Sequence, residues 1–593
     1  MPRAQAQRIG SKDADSRYNV DDEDEGLVEG GKVELAKERA TRSSELDKSS
    51  GPSMKYIGVG LAATFLLGAA LWVSIASRPA LMTGSMKVVT WNIAAINNNP
   101  FEYWITHDDP EYNEMMQDVE AFLSDPGDAD VPLSQVFKKE WVDELVKLMK
   151  NEGWPEVEAA QKEFNDKYMT KKIANGFLKD DQIGLKRLVS MPDRMTNTVN
   201  LDDGGKSCRP AVDNCYPKKF EDLGDWWKQW KQFMFTDKMT TGGAEKRGAD
   251  LIAPISHAKY PILTEAEEKM SKALSTLCQA AFDAITIHML SVIGSGKHKE
   301  KWQSLRQEMC HALNDNKMDR TLEILSSPLY SNSDVIFLQE VAGAFVTAMK
   351  DSPLAEKFEV VATDSTRDQN SVILLHRRSF DLETLTDLTA EFDKLEVKGV
   401  AHGDLITVSV KGTLGSFILA SFHGDTNGMQ TIPVLTAMHK LVQKRKDGHE
   451  LLFGLDANTY GHKKDKYQYV MDFAKKYNSF GLTSCWGDKP NPKNHTTFNA
   501  RTYLQPQLNK AVRFKDLNAE DSGDKNPKDF ILFSKGLWHV MRTWKDNTGD
   551  GEYKEGMVFP TLKFPSDHGM LATELALGKI ESLEHSLDGT SGT

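Results

Sequence analysis

LLFGLDANTY, at residues 451–460, is the stretch around which the expected fold of this chain is organised. Its first three residues form a short apolar run typical of a buried strand, and the segment then turns polar. Gly454 allows a close backbone approach or a turn. Asp456 and Asn458 lie two residues apart, so in an extended segment their side chains project to one side. Taken alone, these two residues after a strand are also typical of a turn.

Other predicted strands also end in polar side chains. Strands are predicted at residues 87–91, 334–338, 357–362, 371–376, 405–410, 415–422, 450–455 and 529–534, with helical patterns between them at 432–444 and 467–476. This mixture predicts an α/β domain with sheets at its centre. The polar strand ends carry Asn92, Glu340, His423, Asp456 with Asn458, Asp529, and the pair Asp567 and His568. Because ligand sites of layered α/β proteins gather at strand ends, we expect a shared acidic pocket.

The residue types in this pocket suit hydrolysis of a phosphate ester. Glu340 offers a hard oxygen ligand to Mg²⁺, which prefers one or two carboxylates and keeps several waters. A bound cation would polarise the phosphoryl oxygens and offset charge on the leaving group. Asp456 is of the type that orients or deprotonates an attacking water.

Amide and imidazole groups add the donors that this chemistry needs. The amides of Asn92 and Asn458 and a protonated His568 can hold the non-bridging oxygens as these gain charge. Either Asp529 or Asp567 can fix the tautomer and orientation of His568. The sequence alone leaves both carboxylates open for that role.

Composition narrows the class of protein. The formal net charge of the 593 residues is −13, which argues against a dedicated nucleic-acid binder but leaves open a hydrolase with a local basic groove. The cysteines are too few and too scattered for a disulfide scaffold or a CxxC zinc site. They are Cys208, Cys215, Cys278, Cys310 and Cys485.

The N-terminal part of the chain predicts a membrane anchor. Residues 1–54 are polar and nearly free of aromatic side chains, so we expect a disordered tail. Residues 56–77 are 22 consecutive uncharged, mostly apolar residues between Lys55 and Arg78. At about 1.5 Å per residue they span the roughly 30 Å hydrocarbon core of a bilayer. We therefore expect a transmembrane helix of the signal-anchor type at residues 55–78.

The flanking basic residues predict the orientation of this helix. Arg78 and Lys87 follow it, whereas five basic residues precede it over a similar distance: Lys37, Arg39, Arg42, Lys48 and Lys55. The tail is therefore expected to be cytoplasmic and the chain after residue 78 lumenal or extracellular, in a membrane that the sequence does not specify. That side is oxidising in secretory compartments, where Cys208 and Cys215 could form a bridge. The reversed topology stays open because the tail is also acidic.

A helical segment separates the first predicted strand from the others. Thr264 and Glu267 match a capping box before a long helical pattern. The aromatic run at 225–230 favours core packing of an amphipathic helix, with a membrane or ligand contact as the alternative. We therefore expect the following organisation: a catalytic domain at 86–97 and 331–577, a mostly helical insertion at 98–330, and a flexible C-terminal tail at 578–593.

Five short motifs, in this order, resemble those of the endonuclease/exonuclease/phosphatase superfamily: TWN at 90–92, LQE at 338–340, GLDAN at 454–458, KDFILFS at 528–534 and SDHGML at 566–571. That group includes pancreatic deoxyribonuclease, base-excision-repair endonucleases, deadenylases, inositol polyphosphate phosphatases and neutral sphingomyelinases. The resemblance implies a four-layer α/β sandwich, in which two central β-sheets are flanked by helices. It also implies hydrolysis of phosphodiesters or phosphomonoesters that depends on Mg²⁺, with Mn²⁺ as the alternative.

The resemblance further implies a role for each matched residue. Glu340 matches the principal metal ligand, and Asn92 matches its neighbour in the metal site. Asp456 matches the residue that aligns or activates the water, and Asn458 matches a contact to the phosphate and the transition state. The remaining matches are the acidic residues near the metal and the catalytic histidine itself: Asp529, Asp567 and His568.

Four positions are implied on the substrate side: His423, Asn370, Arg367 and Thr497. FHGDTNG around His423 matches less closely than the five motifs do.

The chain departs from the family pattern at two places. Some repair nucleases carry an aspartate two residues after the first asparagine, and this chain has Ala94 there. The interval from Asn92 to Glu340 is 248 positions, whereas the family needs only a few tens. The resemblance therefore does not extend to the insertion.

Together these features predict a single-pass, membrane-anchored, Mg²⁺-dependent phosphoesterase that uses metal-assisted attack by water. The tether and the acidic net charge favour a lipid head group or a soluble nucleotide as substrate. A DNA or RNA nuclease is the catalytic alternative, and basic residues lining the pocket would favour it. A third interpretation is a membrane-bound interaction protein on an inactive hydrolase fold, with a protein partner for the insertion.

Overall fold

The structure is a computed structural model and describes residues 84–94, 97–363, 369–395, 397–445, 448–499, 504 and 523–578. The expected N-terminal tail, the transmembrane helix at 55–78, Arg367 and nearly all of the expected C-terminal tail lie outside these residues. Among the described residues, one helical segment, Glu265–Gly296, is long and apolar enough to cross a membrane, and 78% of its most apolar window is buried. Burial to that extent is equally typical of a core helix.

The strands of the described residues are numbered in chain order: β1 Ser85–Asn92, β2 Thr198–Asn200, β3 Lys206–Cys208, β4 Met239–Thr241, β5 Ala244–Lys246, β6 Val335–Gln339, β7 Phe358–Ala362, β8 Val372–His376, β9 Phe380–Asp387, β10 Leu405–Gly412, β11 Gly415–His423, β12 Glu450–Asp456, β13 Leu482–Ser484, β14 Asp529–Ser534, β15 Trp538–Asp546 and β16 Met570–Leu577. One six-stranded sheet has the order β15-β16-β1-β6-β8-β7, and a second has the order β13-β14-β12-β11-β10-β9. Two small hairpins, β2-β3 and β4-β5, lie in the insertion.

The two large sheets pack face to face. Apolar side chains of both sheets share one buried cluster, among them Val88 and Phe337 of the first sheet and Leu452 and Ile531 of the second. β6, β8 and β12 are buried along almost their whole length, as expected for strands that are covered on both faces. β1 pairs in parallel with β6, and β11 with β12. Parallel neighbours end at the same edge of a sheet, so polar strand ends converge there.

The helices of the described residues are likewise numbered in chain order: α1 Pro110–Ser124, α2 Leu133–Val136, α3 Lys139–Asn151, α4 Val157–Lys167, α5 Asp181–Leu185, α6 Ser190–Thr196, α7 Leu223–Phe235, α8 Gly248–Leu251, α9 Glu265–Val292, α10 Lys301–Cys310, α11 Lys317–Ser326, α12 Gly343–Lys350, α13 Leu354–Lys357, α14 Thr389–Asp393, α15 Thr431–Lys444 and α16 Val470–Ser479. Short 3₁₀ or π segments occupy Gly127–Ala129, Ile173–Leu178, Ile293–Gly296 and His311–Asp315.

Helices cover the outer faces of both sheets. α15 and α16 pack on the second sheet through a cluster that includes Met438, Phe473 and Phe453. α11 and α12 pack on the first sheet through a cluster that includes Phe345 and Ile336. The predicted α/β class with two sheets and flanking helices is confirmed.

The described part of the insertion has its own aromatic core. Trp226 and Trp230 of α7 are fully buried, and the rings of Trp227 and Trp141 stack with centroids 5.5 Å apart. Core packing of this aromatic run, the favoured prediction, is confirmed. The capping box at Thr264 is present and begins the 28-residue helix α9, as predicted.

The structure answers which cysteine pairs with Cys215. Cys215 is bridged to Cys310, with Cα atoms 5.5 Å apart, so the bridge to Cys208 that the sequence left open is not formed. Cys208 is buried at the end of β3 and pairs across the hairpin with Thr198 of β2, which gives its thiol a different neighbour. Cys310 lies 95 residues from Cys215 in the sequence, and no local pattern indicates a contact over that separation.

Gly454 of the second sheet packs closely on Phe337 of the first. A Cβ at this position would lie 2.3 Å from Cδ2 of the Phe337 ring. We expect Gly454→Ala to lower the free energy of unfolding by about 1–3 kcal/mol, the usual cost of overpacking a core. Chemical denaturation of the full chain measures this loss. Gly224→Ala is the control, because its Cβ would meet only Asp222 Oδ1, at 3.1 Å. Equal, small effects of both substitutions would contradict the assignment.

Candidate active site

Asn92, Glu340 and Asp456 meet where three strands end. Asn92 is the last residue of β1, Glu340 directly follows β6, and Asp456 is the last residue of β12. The fully buried amide of Asn92 donates from Nδ2 to Glu340 Oε1 and to Asp456 Oδ2, both at 3.0 Å. Because β12 belongs to the second sheet, this amide joins the two sheets at the edge of the pocket and fixes both carboxylates.

Three residues at this edge have a left-handed backbone. The φ angle is 52° at Ala94, 52° at Glu340 and 46° at Asn458, a conformation that costs non-glycine residues about 1–3 kcal/mol. Two of the turns are closed by functional side chains. Ala94 N donates to Asn92 Oδ1 at 2.8 Å, and Asn458 N donates to Asp456 Oδ1 at 2.9 Å. The strained turns therefore also set the orientation of the site's amide and carboxylate.

His423 completes the solvent-facing side of the pocket. Its Nε2 lies 3.3 Å from Glu340 Oε1 and 3.7 Å from Asp456 Oδ2. The side chains of His423 and Glu340 are each 21% exposed, against 1% for Asp456. Burial raises the pKa of Asp456, but the charges of His568, His423 and Lys528 outweigh burial and lower this pKa below its usual value. Asp456 is thus an ionised carboxylate beneath a partly open pocket.

His568 is held between two aspartates. Its Nδ1 lies 2.9 Å from Asp529 Oδ2, and its Nε2 lies 3.6 Å from Asp456 Oδ2. Asp529 and Asp456 are register partners across β14 and β12, which brings both carboxylates to the same histidine. Burial alone lowers the pKa of His568, but the carboxylates of Asp529 and Asp456 raise it to about 10. The imidazole is therefore protonated at neutral pH.

Asp567 faces the insertion. The hydroxyl of Tyr103 donates to Asp567 Oδ2 at 2.8 Å. Of the two aspartates that the sequence left open for orienting His568, Asp529 makes the hydrogen bond, and Asp567 acts on His568 through its charge. A second insertion residue, the buried Lys317, donates from Nζ to the carbonyl of Ala94. The insertion therefore contacts the site at two points.

Asn458 is held from the side of β14. Lys528 Nζ donates to Asn458 Oδ1 at 2.9 Å. The hydroxyl of Thr496 accepts from Lys528 N at 2.9 Å and from Asp529 N at 3.0 Å. The start of β14 thus fixes two functional side chains, those of Asn458 and Asp529.

Two residues expected on the substrate side are buried beneath the site. Asn370 Nδ2 donates to the carbonyl of Val341, and Val341 N donates to the Asn370 carbonyl, so Asn370 braces the backbone directly after Glu340. Thr497 is fully buried and pairs with His568 through an isolated β-bridge. Their role in substrate binding stays a prediction, as does that of Arg367, which lies outside the described residues.

Several residues of the site were not predicted from the sequence. Lys528 is the first residue of the motif KDFILFS and directly precedes Asp529, and Thr496 directly precedes Thr497 in HTTFNAR. For these two, position beside a predicted residue was an available signal. Tyr103 and Lys317 lie in the insertion, where no pattern in the sequence points to the pocket.

Glu340, His423 and Asp456 form a set of possible metal ligands. One ligand atom from each lies within 4.8 Å of the other two. Two carboxylates suit a hard divalent cation such as Mg²⁺ or Mn²⁺, so the donor set fits the expected cofactor. Asn92 Oδ1 accepts from Ala94 N, and its Nδ2 holds the two carboxylates. Its geometry favours support of the metal ligands, and direct ligation by Asn92 stays a prediction.

A separate cavity of about 400 Å³ lies in the insertion, with Trp141, Phe220, His288 and Trp302 among its lining residues. It shares no residue with the acidic pocket. The chemistry described above therefore belongs to the strand ends and not to this cavity.

The chain is similar to one protein family and to several solved structures. A family described as Domain of unknown function (DUF8234) matches residues 130–307, within the insertion. A comparison with curated proteins finds no match.

Three solved structures that are similar to this chain are matched over 44–45% of it. D. rerio TDP2 complexed with single strand DNA product is 13% identical and is matched over 44% of this chain and 94% of that one, with a TM-score of 0.30. The human Nocturnin catalytic domain is 15% identical, over 44% and 86%, with a TM-score of 0.29. An endonuclease/exonuclease/phosphatase family protein from Bacteroides thetaiotaomicron is 15% identical, over 45% and 92%, with a TM-score of 0.29. Similarity at this level establishes neither a fold nor an activity for this chain.

Proposed function

We propose that this protein is a hydrolase of phosphate esters that depends on a divalent cation, with Mg²⁺ as the expected cofactor. The observation that carries the proposal is the Asn92 amide, which holds Glu340 and Asp456 at the same pocket through two hydrogen bonds of 3.0 Å. One of these carboxylates reaches solvent and the other is buried against a protonated histidine. Metal-assisted attack by water on a phosphodiester or phosphomonoester needs a carboxylate for the cation, a carboxylate for the water and a donor for the phosphoryl oxygens, and this pocket contains all three.

Glu340 would hold the cation, with His423 and Asp456 beside it. When bound, the cation polarises the phosphoryl oxygens and offsets charge on the leaving oxygen. Asn92 keeps Glu340 in place through its Nδ2, and the backbone of Glu340 is itself in the left-handed conformation. These contacts prepare the ligand before substrate arrives, which lowers the reorganisation that the reaction requires.

Asp456 acts on the attacking water, and His568 acts on the phosphoryl oxygens. Asp456 is ionised and lies at the base of the pocket, where it orients the attacking water and accepts its proton. His568 carries a proton on Nε2 and donates it in a hydrogen bond to a phosphoryl oxygen that gains negative charge. Asp529 holds the imidazole through Nδ1. Asn458 presents its amide hydrogens to the same oxygens.

Glu340→Gln tests the metal site. The substitution keeps the size of the side chain and one oxygen that can accept from Asn92 Nδ2 but removes the negative charge, so we expect the cation-dependent rate to be lost while the fold stays intact. Rates of the full chain are measured over a Mg²⁺ titration and in chelator, for wild type and Glu340→Gln. Glu359→Gln is the matched control, because Glu359 lies on β7 and its carboxylate pairs with Arg377 at the surface, outside the site. An unchanged Mg²⁺ dependence in Glu340→Gln would refute its role as ligand.

A DNA or RNA nuclease is the second candidate, and one observation favours it. Two lysines lie over aromatic rings: Lys525 Nζ lies 4.7 Å from the centre of the Phe498 ring, and Lys464 Nζ lies 4.3 Å from that of Tyr467. The Tyr467 ring contacts Tyr460, with centroids 4.6 Å apart. Phe498 and Tyr460 each lie within two residues of side chains already placed at the site. Such lysine and aromatic pairs suit a single-stranded nucleic acid, whose bases stack and whose phosphates attract cations.

Membrane anchoring through residues 55–78, with the hydrolase lumenal or extracellular, is part of the proposal. The Cys215–Cys310 disulfide supports it, because such bonds persist in oxidising compartments. We expect protease added to sealed vesicles to remove the N-terminal tail and to spare the chain after residue 78. Detergent should then make the rest of the chain cleavable. Digestion of the catalytic part before detergent is added would reverse this topology.

A further inference from the structure

Lys528 is a buried lysine whose position is fixed on every side. It is 4% exposed. Its backbone N donates to Thr496 Oγ1, and its carbonyl accepts from Ala457 N. Its ammonium forms an ion pair with Asp524 and lies 5.5 Å from the centre of the Tyr460 ring. Burial alone lowers the pKa of Lys528, but Asp524, Tyr460 and Asp456 outweigh it and raise this pKa above its usual value, so the charge is kept.

The remaining contact of this ammonium is to Asn458. Lys528 Nζ donates to Asn458 Oδ1 at 2.9 Å. An ammonium has donors only, whereas an amide has an acceptor side and a donor side that differ little in shape. The contact therefore fixes which way the amide is turned. Asn458 Oδ1 faces Lys528, so Nδ2 is the side of the amide turned away from this lysine.

The backbone of Asn458 leaves little freedom for another arrangement. Its φ is 46°, and its N donates to Asp456 Oδ1. Gly428 packs so closely on it that a Cβ there would lie 2.3 Å from the Asn458 carbonyl oxygen. Among the residues that the structure describes, none accepts a hydrogen bond from Asn458 Nδ2. With the backbone held, the choice between the two amide orientations falls to Lys528.

We propose that Lys528 is a positioning residue that turns the Asn458 amide so that its NH₂ group, and not its oxygen, meets the substrate. This inference rests on the proposed phosphoesterase function. Non-bridging phosphoryl oxygens accept hydrogen bonds and donate none, so the NH₂ group stabilises the charge that they gain. The opposite orientation would set an oxygen against an oxygen. The competing explanation is that Lys528 only stabilises the fold, through its ion pair with Asp524.

Neutron crystal structures of the full chain test the positioning directly, because they distinguish the amide nitrogen from the amide oxygen, which X-ray data at ordinary resolution do not. Lys528→Met keeps the length of the side chain and removes the donor. We expect the Asn458 side chain to shift or to occupy two orientations in this variant, and to stay ordered in Lys535→Met. Lys535 pairs with Asp488 just beyond the other end of β14, outside the site. An Asn458 amide whose nitrogen and oxygen both keep their wild-type positions in Lys528→Met would overturn the proposal.

A double-mutant cycle on activity separates positioning from a structural role. Removal of one preorganised donor costs about 10²-fold or more in kcat, so we expect about that loss in Asn458→Ala and a loss of roughly 10-fold in Lys528→Met. If Lys528 acts through Asn458, the double variant loses no more than Asn458→Ala alone, because coupled residues do not add. Lys528→Arg, which keeps a donor, should retain more activity than Lys528→Met. Additive losses, or equal losses in the Met and Arg variants, would overturn the proposal.

Two further features keep the test decisive. If Lys528→Met fails to fold because Asp524 is left unpaired, Lys528→Met combined with Asp524→Asn removes both charges together. If wild type hydrolyses no phosphate ester, the proposed function fails, and the crystal structures still show whether Lys528 orients the amide. Failure of the function and failure of the positioning are thus distinguishable.

Discussion

Asp456→Asn is expected to lower kcat by roughly 10²–10⁴-fold, the range typical of a lost general base. The substitution keeps the size of the side chain but removes the charge that faces His568 Nε2 at 3.6 Å and His423 Nε2 at 3.7 Å. KM should change much less than kcat, because Asp456 acts on the water and not on the substrate. Steady-state kinetics of the full chain with saturating Mg²⁺ measure both constants.

The control for this prediction is Asp488→Asn, another aspartate in the same domain. Asp488 is 53% exposed and pairs with Lys535 on the surface, so its loss should leave kcat within about twofold, as for most surface ion pairs. An Asp456→Asn variant that is folded and retains near-normal kcat would remove Asp456 from the mechanism.

His568→Ala is expected to lower kcat by roughly 10²–10³-fold, as removal of a preorganised transition-state donor does. Asp529 should act through His568, because its Oδ2 holds the imidazole at Nδ1. Asp529→Asn should therefore reduce kcat less than His568→Ala, and the double variant should resemble His568→Ala. Kinetics of the three variants test this order. Near-normal turnover in His568→Ala would exclude it from the chemistry.

The same histidine predicts how stability depends on pH. The pKa of His568 is raised to about 10 in the folded chain, against 6.5 as its reference value. A raised folded-state pKa contributes stability that is fully present below the unfolded pKa and is lost as pH rises through the folded one. The pH-dependent part of the difference in unfolding free energy between wild type and His568→Ala should thus be largest below about pH 6.5 and disappear near pH 10, which leaves the constant cost of the lost buried side chain. Denaturation in chelator measures it, and a difference independent of pH would contradict the predicted ion pair.

The sheets could be predicted largely because their central strands are apolar on both faces. The runs at 334–338, 371–376 and 450–455 coincide with β6, β8 and β12, which are almost wholly buried. Four strands of the two large sheets were not predicted: β9, β13, β15 and β16. β9 and β15 lie at sheet edges and expose much of their length, so their sequences alternate too little for a pattern of apolar residues to show. β13 is an edge strand of only three residues. β16 is central and mostly buried, so exposure does not explain why it was missed.

The stretch at 451–460 is a strand only as far as Asp456 and then turns, so strand periodicity does not apply to Asn458. Asp456 is the last residue of β12, and Asn458 adopts a left-handed turn that Asp456 itself closes. The expectation that both side chains project from one extended segment is therefore wrong. The turn interpretation is confirmed, and the functional one stays a prediction that the turn does not exclude, since the turn brings both residues to the same strand end.

Contacts between distant segments account for most of what the sequence did not predict. The choice of Asp529 over Asp567 as the partner of His568 depends on the register between β12 and β14, and the contacts of Tyr103 and Lys317 depend on how the insertion packs on the strand ends. Neither follows from local patterns. Residue types at strand ends predicted which side chains take part, and only the packing shows which of them touch.

The most direct test of the central claim is a hydrolysis screen of the purified full chain in detergent, with Asp456→Asn as the blank. Nucleotides, single-stranded oligonucleotides, phosphoinositides and sphingomyelin would each be assayed with Mg²⁺, with Mn²⁺ and with chelator. We predict hydrolysis of one substrate class that chelator abolishes and Asp456→Asn lacks, and activity on oligonucleotides would select the nuclease. Folded wild-type protein that hydrolyses none of these substrates, or that is equally active in chelator and as Asp456→Asn, would contradict the proposed function.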